Sequence, residues 1–255
     1  MITIMSPTKT FREIEEGVAF ELNDLKFPKE TEVLIELLMG YTAEDLGKFM
    51  KVSESIAEVN YKRYKYFKED IFKAHPAMLY FYGEAFKSLE ADKFSRDSLM
   101  FAQDHLRILS GLYGVLTPLD SVKEYRLEMG SKFANPRGKD LYSYWRDKLT
   151  QYMIKQLEIT TGDKILLNVA SDEYSKAVDL KKVNEAFKVM TMVFKELREG
   201  EYKIVGTYAK RARGRFVKYI VENRVDTIEG VKRFSEEGYL FNEELSSEAY
   251  IVFTR

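Results

Sequence analysis

The chain has 255 residues, of which 45% are hydrophobic and 32% are charged, and its formal net charge at pH 7 is −1. This composition is typical of a globular protein and excludes a disordered one. Because cysteine is absent, disulfides, thiol nucleophiles, zinc fingers and iron–sulfur clusters are excluded too. The start, MITIMSPTKT, lacks the regions of a signal peptide, and no segment approaches the ~20 apolar residues that span a bilayer. We therefore expect a cytoplasmic protein without a membrane partner.

The histidines argue against a metal centre. Only His75 and His105 occur, and neither belongs to a Glu-x-x-His or HExxH pattern. A Mg²⁺ site made of carboxylates stays open, but we expect no histidine-based metal, no iron store and no cofactor. His105 is expected on a packed helix.

Hydrophobic patterns predict helices and strands along the whole chain. The first elements are a strand over ITIM, a helix over residues 29–39 stopped by Gly40, and two helices over residues 42–67. A strand over residues 77–83 (AMLYFYG), a helix over 98–110, and strands over 164–170 and 187–196 follow. The tail GYLFNEELSSEAYIVFT predicts a hairpin or two edge strands. No linker or repeat divides the chain, so we predict one α/β (α+β mixed) domain over residues 1–255, with a mixed β-sheet flanked by helices.

The most basic stretch is YAKRARGRFVKYIVENR, residues 208–224, which contains Lys210, Arg211, Arg213, Arg215 and Lys218. A helix beginning near Arg211 would place Arg211, Arg215 and Lys218 on one face and apolar residues on the other. The simplest interpretation is a solvated basic face. However, cations at a helix start oppose the helix dipole unless an anion binds there. Arg213 would point to the crevice between strand and helix, so we predict a phosphate or nucleic-acid site.

A second basic stretch, NYKRYKYFK at residues 60–68, alternates aromatic residues with cations. That composition suits nucleic-acid binding. We favour instead a helix whose tyrosines cover the core while its lysines face water.

Two polar segments follow predicted strands, where α/β sheets bind ligands. The first, SPTKT, offers Ser6, Lys9 and Thr10 to an anion, and Ser6 and Lys9 form S-x-x-K. The S-D-N and K-T-G elements of penicillin-recognising enzymes are missing, so Ser–Lys chemistry, phosphate binding and a plain turn all stay open.

The second segment, NVASDEY, places Ser171, Asp172, Glu173 and Tyr174 after a buried strand. The two carboxylates are suited to Mg²⁺ binding or acid–base work. Helix capping explains Ser171 and Asp172 equally well. Arg126, Arg137 and Lys139 add charge in predicted loops, whereas the glycine-rich motifs of dinucleotide and P-loop sites are missing.

The sequence resembles the bacterial YaaA family of peroxide-stress resistance proteins through a series of motifs in order: SPTKT, FAQDHLRILSGLYGVLTPLD, YRLEMG, RGKDLY, NVASDEY, YAKRARG and EGYLF. The resemblance implies a single cytosolic α/β domain with a basic cleft. It also implies DNA binding with a helix-hairpin-helix-like element, which falls on residues 42–67, and a role in limiting iron-driven oxidative damage. Thr8, Thr117 and Arg215 depart from the family pattern.

Two functions follow as hypotheses. The first is a DNA-binding protein, monomeric and indifferent to base sequence, that contacts the backbone through Lys9, Arg137, Lys139, Lys210, Arg211, Arg213, Arg215 and Lys218. The alternative is an enzyme acting on a nucleotide or nucleic acid, whose catalytic candidates are Ser6, Lys9, Asp172, Glu173 and Tyr174.

Overall fold

The computed structural model describes residues 1–14, 21–69 and 71–255, and the elements below are those of these residues. The strands are β1 Ile2–Met5, β2 His75–Pro76, β3 Leu106–Ser110, β4 Gly114–Leu116, β5 Ser121–Val122, β6 Leu166–Asn168, β7 Val189–Arg198, β8 Glu201–Lys203, β9 Leu240–Phe241 and β10 Tyr250–Thr254. The helices are α1 Pro28–Met39, α2 Ala43–Met50, α3 Glu54–Lys65, α4 Ala77–Tyr80, α5 Glu84–Leu89, α6 Arg96–His105, α7 Leu141–Ile159, α8 Asp172–Ser175, α9 Leu180–Asn184, α10 Gly206–Glu222 and α11 Ile228–Lys232. Short 3₁₀ turns lie at Ala91–Lys93 and Glu236–Gly238.

One mixed sheet of eight strands organises the molecule, in the order β4-β3-β1-β6-β7-β10-β9 with β8 paired to β7. Five of its strands are parallel and run β3-β1-β6-β7-β10. In chain order this is 2-1-3-4-5, one of the two common orders of doubly wound α/β sheets. The predicted α/β domain with a mixed sheet and flanking helices is confirmed.

The core lies on both faces of the central strands. Every residue of β1, β3 and β6 is buried, as expected for parallel strands covered by helices. Trp145 of α7 is fully buried on one side, where its Nε1 donates to the Gly111 carbonyl at 2.8 Å. Aromatic rings of Phe194, Phe216 and Phe253 pack together near the other end of the sheet.

The strand predicted over residues 77–83 is wrong. Ala77–Tyr80 form one helical turn, α4, preceded by Pro76. The N–H groups of Ala77 and Met78 donate to carbonyls of Asp120 and Pro118, so the turn is held by a neighbouring loop. All four residues of α4 are buried. An apolar run of this kind has no alternation of apolar and polar residues, so its sequence cannot distinguish a buried strand from a buried helix.

The helix predicted over residues 98–110 is correct only in its first half. Helix α6 ends at His105, and the next five residues form β3, which pairs with the central strand β1. His105 lies at this junction, buried against Phe101, with its Nδ1 2.7 Å from the Met1 carbonyl oxygen. The prediction failed because leucines at helical spacing continue into the strand. Pairing with the sheet determines the structure of these residues more strongly than the helical pattern does.

Residues 42–67 form the two predicted helices, α2 and α3. Thr42 and Asp45 make a capping box at the start of α2. Ser53 occupies the N-cap of α3, but its hydroxyl lies 3.1 Å from Ser55 Oγ and does not cap a backbone N–H. Lys51 between the helices adopts a left-handed backbone, φ 52°. Whether this pair acts as a helix-hairpin-helix stays a prediction.

The C-terminal hairpin prediction is confirmed, because β9 pairs antiparallel with β10. Strand β10 also pairs with β7, so it is not an edge strand. Gly40 ends α1 with a right-handed backbone, not the left-handed one of a glycine stop. Among the helices of the described ranges, none combines the length and apolarity that crossing a membrane requires.

Candidate functional site

A cavity of about 420 Å³ opens at the carboxyl end of β1 and β6, which are adjacent parallel strands. The chain leaves β1 toward β3 on one side and returns to β6 on the other. This is a topological switch point, where open α/β sheets bind their ligands. The lining residues are Met5, Ser6, Pro7, Thr8, Lys9, Gly83, Glu84, Ala85, Phe86, Val169, Ser171, Glu173, Tyr174, Lys210 and Arg213.

The loops after β1 and β6 are hydrogen-bonded to each other. The Ser171 N–H donates to Ser6 Oγ at 2.9 Å, and the two Oγ atoms lie 3.2 Å apart. On the other side of the first loop, Gly83 leaves room for Thr8, since a Cβ at Gly83 would lie 2.2 Å from Thr8 Oγ1. Thr10 Oγ1 donates to the Tyr82 carbonyl at 2.6 Å. The first loop is therefore held on both sides.

Lys9 stands where this cavity meets two others. Its ammonium contacts Glu128 Oε1 at 2.7 Å, and Arg126 approaches the same carboxylate at 3.6 Å. Lys9 also lines a small cavity with Arg126 and one of about 300 Å³ whose lining includes Arg63 and Val59 of α3. We call these three cavities, whose linings share Lys9, the Lys9 groove.

The basic helix α10 begins at Gly206, not near Arg211 as the sequence suggested. Its cations therefore lie beyond the first turn, and the argument from the helix dipole does not apply to them. The predicted faces are correct. The three cations of one face are paired with acidic side chains of α5 and its neighbours: Arg211 with Glu84 at 2.8 Å, Arg215 with Glu90 at 2.7 Å and Glu237 at 3.1 Å, and Lys218 with Glu90 at 2.6 Å.

Arg213 differs from its neighbours in the same helix. It lines the cavity, and its buried Nε has no hydrogen-bond partner among the described residues. Burial lowers the pKa of the guanidinium, and the negative charge of Asp172 opposes that change. An arginine nevertheless remains protonated in proteins. Lys210, one turn away, is exposed at the rim of the cavity.

A close helix contact brings α10 to the cavity. A Cβ at Gly214 would lie 2.0 Å from the Ala85 carbonyl oxygen of α5, so the two helices touch at backbone distance. Ala85 itself lines the cavity. The glycine of the basic stretch thus serves helix packing, and the neighbouring Arg213 reaches the site.

The segment after β6 supplies the acidic side of the cavity. Glu173 Oε1 accepts the Gly130 N–H at 3.0 Å, and the Glu173 carbonyl accepts from the Tyr142 hydroxyl at 2.9 Å. Burial raises the pKa of Tyr174 far above its ordinary value, so its hydroxyl remains protonated. Asp172 is exposed and does not line the cavity.

The structure thus gathers only part of the predicted site. Ser6, Lys9, Glu173, Tyr174, Lys210 and Arg213 line one cavity. Outside its lining remain Asp172, Arg137, Lys139, Arg211, Arg215 and Lys218. Arg137 turns instead to Glu30, at 3.5 Å, and to the Tyr144 ring. Sequence reasoning missed residues 83–86, because only tertiary packing brings α5 to the ends of β1 and β6.

The second basic stretch largely follows the favoured interpretation. Tyr64 is buried, and Lys68 pairs with Glu32 and Glu36 at the surface. Arg63 is the exception, because it pairs with Glu124 and lines the outer part of the Lys9 groove. Across residues 1–14, 21–69 and 71–255, no three His, Asp or Glu side chains cluster as metal ligands would.

The fold and the site define a doubly wound type of α/β protein with a cavity of mixed apolar and charged lining at its switch point. A family model described as "Peroxide stress protein YaaA" matches residues 1–245. A UPF0246 protein of Clostridium botulinum (strain Alaska E43) is 42% identical over the whole chain and 99% of its own length. UPF0246 proteins of Alteromonas mediterranea and Legionella pneumophila (strain Lens) are 41% and 40% identical, again over the whole chain and 98% and 99% of theirs. The chain belongs to the YaaA (UPF0246) family of peroxide stress proteins.

Proposed function

We propose that this member of the peroxide stress family binds DNA through backbone phosphates along the Lys9 groove, and thereby limits oxidative damage driven by iron. The observation that carries the proposal is the partly buried Arg213, which lines the cavity and whose buried Nε has no hydrogen-bond partner among the described residues. A guanidinium with free donors is the preferred protein partner of a phosphate.

Further cations continue along the groove from Arg213. Lys210 lies at its inner rim, Lys9 at the junction, and Arg126 and Arg63 at its outer part. Lys9 and Arg126 share Glu128, and Arg63 pairs with Glu124, so these three would have to exchange a carboxylate for a phosphate. Helix α3 borders that outer part with Ser55 and Ile56. This helix belongs to residues 42–67, for which the family resemblance implies a helix-hairpin-helix-like element, and its position supports the proposal. A DNA backbone could therefore contact α3 and the groove at once.

The pairing of the other cations explains how a chain of net charge −1 can bind a polyanion at one place. Arg211, Arg215 and Lys218 are neutralised by glutamates, so α10 does not present a continuous basic face. Within α10, Lys210 and Arg213 form no ion pair with any residue that the structure describes, although the charges of Glu84 and Asp172 act on them from a distance. Such focused charge favours local binding over general coating of DNA.

The test is fluorescence anisotropy of a labelled short duplex against a salt series, with wild type and the variant Lys210→Gln/Arg213→Gln. On duplex DNA, log K falls with log salt by about 0.9 for each phosphate contact. We expect the variant to bind the duplex more weakly. The steepness of its log K against log salt should fall by about two, because two phosphate contacts are lost.

The matched control is Lys181→Gln/Lys182→Gln, which removes the same charge from the exposed face of α9, outside the groove. It should retain the wild-type slope. Equal slopes in both double variants would show that the cations of the cavity do not contact DNA phosphates.

A second candidate function, catalysis on a nucleotide or nucleic acid, is favoured by one observation. Lys9 and Glu173 line the same cavity, with Ser6 and Tyr174 between the two loops. Glu173 would serve as the base and Tyr174 as a proton donor. Chromatography of labelled oligonucleotides and nucleotides after incubation tests this. A product made by wild type but not by Glu173→Gln supports catalysis, and unchanged substrates argue for binding alone.

A further inference from the structure

We propose that the switch-point cavity binds a single nucleoside monophosphate group, with its phosphate at Arg213 and Lys210 and its base over the apolar floor. The inference concerns the same cavity as the proposed function. The ligand could come from two sources, and only the first, a nucleotide within a DNA strand, depends on the proposed function. A free mononucleotide is the other source.

The size of the cavity selects the ligand class. Its volume of about 420 Å³ lies within the range of small-molecule sites, about 300–1,000 Å³. A DNA duplex is too wide to enter such a space, so backbone binding along the groove leaves the cavity itself unexplained. A single nucleotide is of the right order of size.

The lining of the cavity combines apolar and charged side chains, as a nucleotide requires. Its apolar part, here called the floor, comprises the buried side chains of Met5, Phe86 and Val169, and its cations are Lys210 and Arg213 of α10. An apolar surface can pack against the face of a base, and a guanidinium donates hydrogen bonds to a phosphate.

The state of Arg213 points to an anion in particular. Taking a cation partly out of water is unfavourable unless an opposite charge or hydrogen-bond acceptors replace the water. Its Nε lacks an acceptor among the described residues, and Asp172 acts on it only through its field. A phosphate in the cavity would supply both acceptor and charge.

Polar groups of the two strand-end loops can hold the rest of the nucleotide. Glu173 uses Oε1 to accept the Gly130 N–H, which leaves Oε2 to accept from a sugar hydroxyl, as acidic residues do in dinucleotide sites. A free mononucleotide offers its 3′-hydroxyl to this oxygen, whereas a nucleotide within a DNA strand has no free sugar hydroxyl and does not use the contact. The Thr8 and Ser6 hydroxyls also line the cavity. Ser6 Oγ accepts the Ser171 N–H and also shares a hydrogen bond with Ser171 Oγ at 3.2 Å. When the Ser171 hydroxyl donates in that bond, the Ser6 proton can be donated to a phosphate oxygen.

The experiment is isothermal titration of the full chain with deoxyadenosine monophosphate, deoxyadenosine and inorganic phosphate. We expect the monophosphate to bind at least about tenfold more tightly than deoxyadenosine, since a charge-assisted contact is lost without the phosphate. Arg213→Gln should weaken the affinity for the monophosphate by about 10- to 100-fold and leave the affinity for deoxyadenosine unchanged.

Lys210→Gln serves as a second variant, and its exposed position means that it need not disturb folding. It should also weaken the affinity for the monophosphate. Lys181→Gln/Lys182→Gln should bind it as wild type does. The inference is overturned if wild type binds none of the three probes, or binds nucleoside and nucleotide equally. Either result leaves the salt dependence of duplex binding intact, so it is distinct from failure of the proposed function.

Competition distinguishes the two sources of the ligand. A single strand with a 5′ phosphate and the same strand with a 5′ hydroxyl are tested for displacement of the mononucleotide. Displacement only by the phosphorylated strand assigns the cavity to a strand end, and displacement by both assigns it to a nucleotide within the strand. Displacement by neither assigns it to a free nucleotide.

Discussion

Glu90 is the residue that makes the basic helix compatible with the fold. It follows α5 with a left-handed backbone, φ 51°. Its carboxylate is 2.5 Å from Lys93, 2.7 Å from Arg215 and 2.6 Å from Lys218. Hydrogen bonds from Lys218, Lys93 and Arg215 lower the pKa of Glu90 to about 2. One carboxylate thus pairs with two cations of α10 that sequence reasoning assigned to DNA, and Glu237 and Glu222 add further negative charge beside them.

Glu90 should make stability depend on acid pH. Because its pKa in the folded state, about 2, lies below its ordinary value of 4.5, its contribution is complete above pH 4.5 and is lost as pH falls toward 2. Glu90→Gln should lower the free energy of unfolding by about 1–2 kcal/mol at neutral pH. Denaturant titration at a series of pH values should show this difference shrinking between pH 4.5 and 2.

Glu185→Gln is the matched control, since this exposed glutamate at the end of α9 changes the net charge equally. It should leave stability nearly unchanged. A difference between wild type and Glu90→Gln that stays constant with pH would contradict the role assigned to the ionised carboxylate.

At the scale of elements, the contact of α10 with α5 determines the shape of the candidate site. Helix α5 contributes Glu84 to Phe86 to the cavity, and α10 contributes Lys210 and Arg213. The two approach most closely at Gly214, where a side chain would overlap the Ala85 carbonyl. A shift of α10 would therefore move the cations relative to the ends of β1 and β6.

Gly214→Ala should be strongly unfavourable for this reason. We expect a loss of about 1–3 kcal/mol or more in the free energy of unfolding, the usual cost of overpacking, measured by urea denaturation. Gly206→Ala, in the same helix, meets no atom within 4 Å and should be close to neutral. Similar stability of both variants would mean that α10 can move away from α5 at little cost.

At the scale of the whole molecule, the sheet joins distant parts of the chain. Its central strand β1 comes from the first residues, and β10, from the last, pairs with β7. We therefore predict a single cooperative unfolding transition, as for one domain. The fluorescence of Trp145, the only tryptophan, and the far-UV circular dichroism should give the same midpoint in urea. Two separate midpoints would instead divide the chain into independent units.

Some long-range features could be predicted from local sequence alone. Ser6 and Ser171 each follow a strand of buried residues, and parallel strands end at the same edge of a sheet. Their meeting at 2.9 Å, from the Ser171 N–H to Ser6 Oγ, is therefore the kind of contact that strand-end reasoning can anticipate. The face shared by Arg211, Arg215 and Lys218 followed likewise from helix periodicity.

The secondary structure of other segments could not be predicted, because it depends on contacts with residues far away in the chain. An all-apolar run such as residues 77–80 fits either a buried helix or a buried strand, and only its contacts with the loop at residues 118–120 decide. Leu106 continued the helical spacing of α6 but joined the sheet, because β1 offered it a strand to pair with.

By itself, the sequence determined the α/β class, the polar segments at two strand ends, the apolar and basic faces of α10 and the family. These are local patterns, set by residue type and spacing. Tertiary structure alone decided which charges remain available to a ligand. Ion pairs form between side chains distant in sequence, as Arg211 and Glu84 do, so no local pattern could show that α10 is largely neutralised. Helix periodicity did predict that Arg213 points to the crevice between strand and helix, but only the tertiary structure shows the cavity that it lines there.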